Sequence, residues 1–566
     1  MKKYIAIALA ALCAFSFTSC EKFLDYAPQG NPTVDNYFLN DDQANNAIDI
    51  VYYRLFERDG MFSRDMYWEQ GCANDMVWGK TRGFNPLATL TYTGNESPLV
   101  DTFGRIYRYG LSRANWIVNA LLQKQEKEGL SDVEHRVLGE AYFLRAQFHL
   151  LAAYRYGTKD LGVPFVAYED VEGGYNYEIP EQLPSVTDNY AYIVSDLEKA
   201  ETILPRFETY DANDRGRAHK ASAAALMAKA YAYWAMWDTT KWDKVIDCVN
   251  RLENDYGRDL VPNYPDLFAP DWEKGFWTKE YCWGIPGEGG PDGGGGGGVE
   301  VTGVMLEDKG WGKFNGWGQI KPTLDLYEEL AKDNYDEDGD GVVDRNIRLT
   351  TTILEYNDEF EYFGEIMHFA SPQNVEAGFQ CNKYMQAFAP ADCIARGWVL
   401  DNSNYPVTRV MWPIVRFADA LLLRAEAYLV KGDKSKATID INRIRRRSHL
   451  KTLPEGSATW TDLYHERRCE LAFEFGNDHA FDCKRWAVSG DSEIAALAKA
   501  ELNTHPRVRK YADRTDPTST FVIGDYEDYM TPVKVWDGNE KCLTFPYPTD
   551  EITKSMGKLQ NPPSWR

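Results

Sequence analysis

Residues 336–344 read Asp-Glu-Asp-Gly-Asp-Gly-Val-Val-Asp. Carboxylates at positions 1, 3, 5 and 9 with glycine at position 6 match the front of an EF-hand-like calcium loop. Asp336, Asp338, Asp340 and Asp344 offer hard oxygens, the Val342 carbonyl takes the seventh position, and Gly341 permits the sharp turn. Ile347 stands at position 12, where a bidentate Glu is expected, so affinity is low unless another segment completes the shell. The competing reading is an acidic surface turn. A second chemical resource is aromatic. The chain holds 17 Trp, 35 Tyr and 26 Phe, more Trp than core packing alone asks for. Sugar rings lay their C–H faces on aromatic planes, while planar polar side chains hydrogen-bond the hydroxyls. Two stretches outside helical patterns are dense in such residues. One runs from Tyr67 and Trp68 through Asn74, Asp75, Trp78 and Arg82 to Tyr92; the other runs from Trp272 and Trp277 through Trp283 and Trp311 to Trp317. The competing reading for each Trp is a plug in the core.

Hydrolytic and nucleotide chemistry has no comparable support. G-x-S-x-G, H-E-x-x-H and dinucleotide-binding patterns are absent. The six glycines Gly293–Gly298 have no Lys-Ser/Thr after them, so they read as a flexible loop and not a phosphate cradle. Cys72, Cys248, Cys282, Cys381, Cys393, Cys469, Cys483 and Cys542 show no CxxC or CxxH spacing, which gives no sequence support for zinc. The formal net charge is −24, with no basic block, which disfavours nucleic acid.

Residues 1–19 form a secretory signal: Lys2 and Lys3, an apolar run from Ile5 to Phe17, then small residues. Cys20 follows directly and resembles the lipid-accepting Cys of a bacterial lipobox, with Phe17 where Leu is usual. An acylated Cys20 anchors the chain to a membrane, each buried methylene adding about 0.8 kcal/mol. Beyond Cys20 no apolar run reaches the length of a membrane-spanning helix.

Helical periodicity dominates the remainder. Asp41–Phe56 places Ala44, Ala47, Ile48, Val51 and Leu55 on one face. Further helices are predicted over about 101–125 (Ile106, Tyr109, Ala114, Ile117, Val118 and Leu121 inward), 131–156 with a Ser131/Glu134 capping box, and 186–204 before Pro205. Two helix–turn–helix pairs follow, at 218–237 with 241–250 and at 414–431 with 434–447. Their Ala-rich first helices suit close stacking, as in degenerate tetratricopeptide-like hairpins. Residues 255–320 and 356–411 look irregular. The Arg443–Arg447 run reads as a solvated helix face pairing with nearby carboxylates.

Several segments, in order, resemble the SusD/RagB family of outer-surface nutrient-binding lipoproteins. They are Phe23-Leu24-Asp25 with Pro28, Gly139-Glu140-Ala141 with Arg145-Ala146 and Val163-Pro164, Lys220–Tyr231, Gly316-Trp317-Gly318 with Pro322-Thr323, Arg416-Phe417-Ala418-Asp419 with Glu426-Ala427, Ile441-Asn442 with Ile444-Arg445, and Glu466-Arg467 through Glu474 to Arg485-Trp486. Departures are Phe417 for Tyr, Gly476-Asn477-Asp478-His479 for Gly-Xaa-Arg, and Asn346-Ile347-Arg348 for an Asp-Pro-Arg-like site.

The resemblance implies a mostly α fold in which tetratricopeptide-like hairpins pack against an irregular, loop-rich ligand-binding half. Residues 20–566 would form one unit, with scaffold at about 40–255 and 414–490 and the irregular part at about 256–413 and 491–566. It also implies a non-enzymatic, lipid-anchored protein of the outer-membrane surface. Such a protein captures oligosaccharide and delivers it to a SusC-type TonB-dependent barrel, over which it acts as a hinged lid. Because the family places ligand contacts in loops near the two aromatic stretches, Trp78, Asn74, Asp75, Arg82, Trp283 and Trp311 are the candidate binding residues. His465, Glu466, Arg467 and Arg468 read as structural, and calcium as a structural ion. Oligopeptide capture within the same family, a surface glycoside hydrolase and a plain helical scaffold are the other readings; the hydrolase would need a carboxyl pair that 86 acidic residues could hide.

Overall fold

In the computed structural model, the residues described are 37–38, 40–56, 69, 72–78, 85–171, 180–285, 320–355, 358–362, 365–368, 378–384, 395–396, 399–400, 407–408, 411–474, 479–504, 506–511, 521–528 and 543–566. The signal segment and Cys20 lie outside them. Helix Asp132–Tyr156 is the natural starting point, because its sequence has apolar or small residues on every side and must therefore be surrounded. It is buried over almost its whole length. Its first turn carries the predicted capping box, with Ser131 Oγ accepting from Glu134 N and Glu134 accepting from Ser131 N.

The helices are α1 (Asp41–Phe56), α2 (Ser97–Gly104), α3 (Ser112–Glu128), α4 (Asp132–Tyr156), α5 (Val186–Ile203), α6 (Lys220–Trp234), α7 (Lys241–Asn254), α8 (Leu324–Ala331), α9 (Ile347–Thr352), α10 (Phe417–Val430), α11 (Lys434–Arg447), α12 (Trp460–Glu470), α13 (His479–Ala487) and α14 (Ser492–Leu502). Packing runs in series: α3 on α4, α4 on α5, α5 on α6, α6 on α7, then α7 on α10 and α10 on α11. The α7–α10 contact is the important one. It stacks the two predicted hairpins directly on each other and loops the intervening chain out of the helical series. None of the described helices is long and apolar enough to cross a membrane.

Strands are short and pair only in twos among the described residues. They are β1 (Met76–Trp78) with β3 (Ile320–Pro322), β2 (Tyr281–Ile285) with β10 (Trp412–Arg416), β4 (Ile353–Glu355) with β7 (Phe379–Cys381), β5 (Glu359–Tyr362) with β6 (Glu365–His368), β8 (Val399–Leu400) with β9 (Val407–Thr408), and β11 (Arg507–Tyr511) with β12 (Phe521–Asp528), all antiparallel.

Three expectations change. The predicted 101–125 helix is α2 and α3 joined through a π-helical segment, Arg105–Leu111. Its wider turns rotate the face, so Tyr109, expected inward, is 38% exposed. Gly110 in that segment lets the Phe148 ring of α4 approach to where a Cβ would stand. Second, residues 414–416 belong to β10 and not to α10, because β2 pairs with them. Third, the Arg443–Arg447 run pairs with carboxylates as expected, but it is not a solvated face. Arg445 and Arg447 are buried, Arg445 pairing with Asp333 and Glu466 and Arg447 with Glu280 and Glu470; Arg443, half-buried, reaches Glu253 and Asp259. The six cysteines described are buried and unbridged.

Candidate functional site

The two aromatic stretches meet through β1 and β3. Met76 lies opposite Pro322, Val77 opposite Lys321 and Trp78 opposite Ile320. Thr323 locks the join: its N–H donates to the Asp75 carbonyl (3.2 Å), its hydroxyl donates to the Asn74 carbonyl, and the same hydroxyl caps α8 by accepting from Leu326 N. In an antiparallel ladder the chain leaving Trp78 and the chain arriving at Ile320 share one end. Arg82 and Trp311 lie outside the described residues, and of Trp78 only the backbone is described.

Asn74 and Asp75 do not face a ligand surface. They are 4% and 5% exposed. Asn74 N donates to Glu501 Oε1 (2.9 Å), its amide donates to the Glu501 carbonyl (3.2 Å) and to Thr504, and Asp75 Oδ1 accepts from Arg468 Nε (2.6 Å). Burial pushes both carboxyls up. Asp75 stays above its ordinary value, whereas Arg468 and His479 prevail at Glu501 and hold it well below. The candidate binding role for these two residues is corrected to a structural one: they dock the start of β1 onto α12 and α14.

Trp283 is likewise a core residue. In β2 it is 4% exposed, and its ring meets Phe143 of α4 edge to face at 4.7 Å and 88°. Its remaining edge floors a recess of about 190 Å³ beside Tyr52 and Arg217. The reading of this Trp as a core plug holds.

A cleft that the sequence did not reveal lies between the π segment and residues 164–168. It has a volume of about 520 Å³, with Phe103, Tyr107, Phe165 and Tyr168 as walls and Arg108, Glu551 and Lys554 at its rim. Glu551 pairs with both rim cations. Aromatic walls with a charged rim suit a ring-shaped ligand. Its walls come from separate chain segments, so no local motif marks it.

The acidic loop is exposed and closed at its neck by a Tyr335–Asp344 bridge. Asp336 accepts from Gly339 N (2.7 Å) and Gly341 N (3.0 Å), Asp338 from Asp340 N (3.0 Å), Asp340 from Val342 N (2.7 Å), and Asp344 from Glu337 N (3.0 Å). Gly339 and Gly341 have φ of +79° and +89°, the left-handed turn that the motif requires. Carboxylate oxygens of Asp336, Asp338 and Asp344 lie within 4.8 Å of one another. The Val342 side chain points away and is 61% exposed. Ile347 opens α9, leaving position 12 without a ligand.

His465 and its neighbours serve packing, as expected. His465 bridges Glu329 (2.7 Å) and Asp333 (2.9 Å), Glu466 binds Arg348 and Arg445, and Arg467 binds Asp419 and Asp482. Burial pushes the Glu329 carboxyl up, but His465 and Arg468 outweigh it and hold it at about 2. Such buried ion pairs fix a shape.

Stacked helical hairpins with the chain between α7 and α10 looped out of their series define a mostly helical fold. The chain belongs to the SusD family, whose profile matches residues 279–565. A second profile, described as starch-binding and associating with the outer membrane, matches residues 22–232. No curated protein matches the sequence. Among solved structures, a SusD-like protein from Bacteroides fragilis is similar at 20% identity, covering 93% of this chain and 98% of that one, with a TM-score of 0.70. Surface glycan-binding protein A from Bacteroides uniformis is similar at 19% identity over 93% and 100% of the two chains, TM-score 0.65. A laminarin-binding SusD-like protein is similar at 20% identity over 93% and 99%, TM-score 0.63. At these identities the likeness shows the fold.

Proposed function

We propose that this chain is a non-enzymatic binding protein, lipidated at Cys20 on the outer-membrane surface, that captures oligosaccharide and delivers it to a SusC-type TonB-dependent barrel. The observation that carries this reading is the β1–β3 ladder, where the chain leaving Trp78 and the chain arriving at Ile320 share one end. Stacking on the indoles of Trp78 and Trp311 supplies affinity, and Arg82 supplies hydrogen bonds to hydroxyls. Membership of the SusD family supports it, as do similar folds named for laminarin binding or solved with a xylogluco-oligosaccharide. Calcium is proposed at Asp336, Asp338, Asp340 and Asp344 with the Val342 carbonyl as a structural ion; the three converging carboxylates fit a hard cation.

Calorimetry of the chain against a panel of glycans and peptides is the test. A glycan should bind, and joint replacement of Trp78 and Trp311 by alanine should weaken it by about 30-fold or more, the ~2 kcal/mol scale of an aromatic hot spot. Undiminished glycan binding in a folded double variant refutes the site. Binding of peptides alone replaces the ligand class, and shortened glycan products replace the non-enzymatic reading. Co-purification of a barrel from detergent-solubilised membranes tests the partner.

A further inference from the structure

α13 carries His479 and Cys483 four residues apart, one turn along the same face, and both are buried. Glu501 of α14 reaches the pair. His479 Nε2 is 3.0 Å from Glu501 Oε2, Cys483 Sγ is 3.4 Å from the same oxygen, and Sγ is 3.7 Å from Nε2. A tetrahedral zinc ion, with bonds of about 2.0–2.1 Å to nitrogen and oxygen and about 2.3 Å to sulfur, needs donor edges of roughly 3.4 Å (N to O), 3.5 Å (S to O) and 3.6 Å (N to S). Each observed edge agrees to within about 0.4 Å, so the three donors outline one face of such a tetrahedron. Asp75 Oδ2, 3.8 Å from the same His479 nitrogen, adds an oxygen beside that face.

Charge closes for such an ion. A divalent ion with the Cys483 thiolate, the Glu501 carboxylate and a neutral His479 imidazole is neutral overall, while Asp75 is paired with Arg468. Outer partners are in place on Glu501, to which Asn74 N–H and Tyr464 O–H both donate, whereas His479 Nδ1 has no hydrogen-bond partner among the described residues.

We propose that His479, Cys483 and Glu501 bind a zinc ion. Thiolate with imidazole and carboxylate in a buried arrangement selects zinc over the hard cation suited to the exposed all-oxygen loop at 336–344. The ion would tie Glu501 of α14, which receives the Asn74 N–H ahead of β1, to α13, and so stiffen the base of β1.

The full chain, stripped with a chelator and reloaded, should retain a single equivalent of zinc after desalting. Cobalt loaded in its place should show a thiolate-to-metal charge-transfer band. Zinc-edge absorption fine structure on the wild-type chain should resolve one sulfur at about 2.3 Å beside lighter ligands at about 2.0 Å. Cys483→Ala and His479→Gln should abolish retention, Tyr464→Phe should weaken binding by about 10–100-fold, and the paired Asp336→Asn, Asp338→Asn variant should retain zinc fully. Absence of stoichiometric zinc, an oxygen-only spectrum, or full retention in Cys483→Ala overturns the assignment. The wild-type spectra decide the matter even if a variant fails to fold.

Discussion

Arg416 is the residue whose removal probes how the looped-out half is held to the helical scaffold. It ends β10, and it is fully buried. Nε donates to Glu474 (2.7 Å), Nη1 to Glu280 and Glu470 (both 2.7 Å), and Nη2 to the Glu470 carbonyl (2.8 Å) and Glu474 (2.9 Å). Glu280 directly precedes β2, whereas Glu470 ends α12, so one guanidinium joins the two halves. Arg416→Met keeps the volume and strands charge. Arg447 still serves Glu280 and Glu470, and Lys383 still serves Glu474, which keeps the loss below that of three orphaned carboxylates. Removing one partner of a buried ion pair costs about 3–5 kcal/mol, a large share of the roughly 5–15 kcal/mol that holds a typical domain together. Urea unfolding followed by Trp fluorescence should show the midpoint falling by that energy at unchanged slope. The paired Arg416→Met, Glu474→Gln variant should recover about 0.5–3 kcal/mol, because one stranded charge is gone. A loss below about 1 kcal/mol in Arg416→Met, or no recovery in the pair, would refute the account of Arg416 as the electrostatic clip.

Three further outcomes are expected. Burial pushes the Glu470 and Asp482 carboxyls up, but Arg447 and Arg416 outweigh it at Glu470, and Arg467 and Arg485 at Asp482, holding both at about 2, below their ordinary values of 4.5 and 3.8. A depressed carboxyl stabilises the fold above its unfolded value and loses that contribution as pH falls, so urea midpoints should hold from about pH 6 to 5 and drop steeply between about pH 4.5 and 2. Gly110→Ala should cost about 1–3 kcal/mol by driving a methyl into Phe148, read as a lowered melting temperature, and a neutral result would show that α4 yields there. Calcium at one hundred times its dissociation constant should stabilise the chain by about 2.7 kcal/mol, and Asp336→Asn with Asp338→Asn should remove the effect; equal stabilisation of that variant would exclude the loop.

Much of the helical half was legible in the chain. α1 and α11 fall at the expected bounds, and the Ser131/Glu134 box starts α4 as expected, because capping and apolar periodicity act within one or two turns. The π segment was not legible, since a single inserted residue is decided by how α2 and α3 meet α4. Nor was β10, whose last residues read as helix until β2 pairs with them. The candidate site divided in the same way. Sequence located the aromatic loops, the calcium-type spacing and, through ordered anchors, the family.

Sequence by itself determined several of the scaffold helices and where some of them start, because propensity, capping and local spacing are short-range. Tertiary structure alone decided that Asn74 and Asp75 are interior. Their partners Glu501 and Arg468 lie 427 and 393 residues further along the chain, and no local pattern encodes a desolvated charge pair across that distance. The same long-range closure brings Asp75 to 3.8 Å from His479, because burial leaves each polar group only the partners that the fold brings within reach.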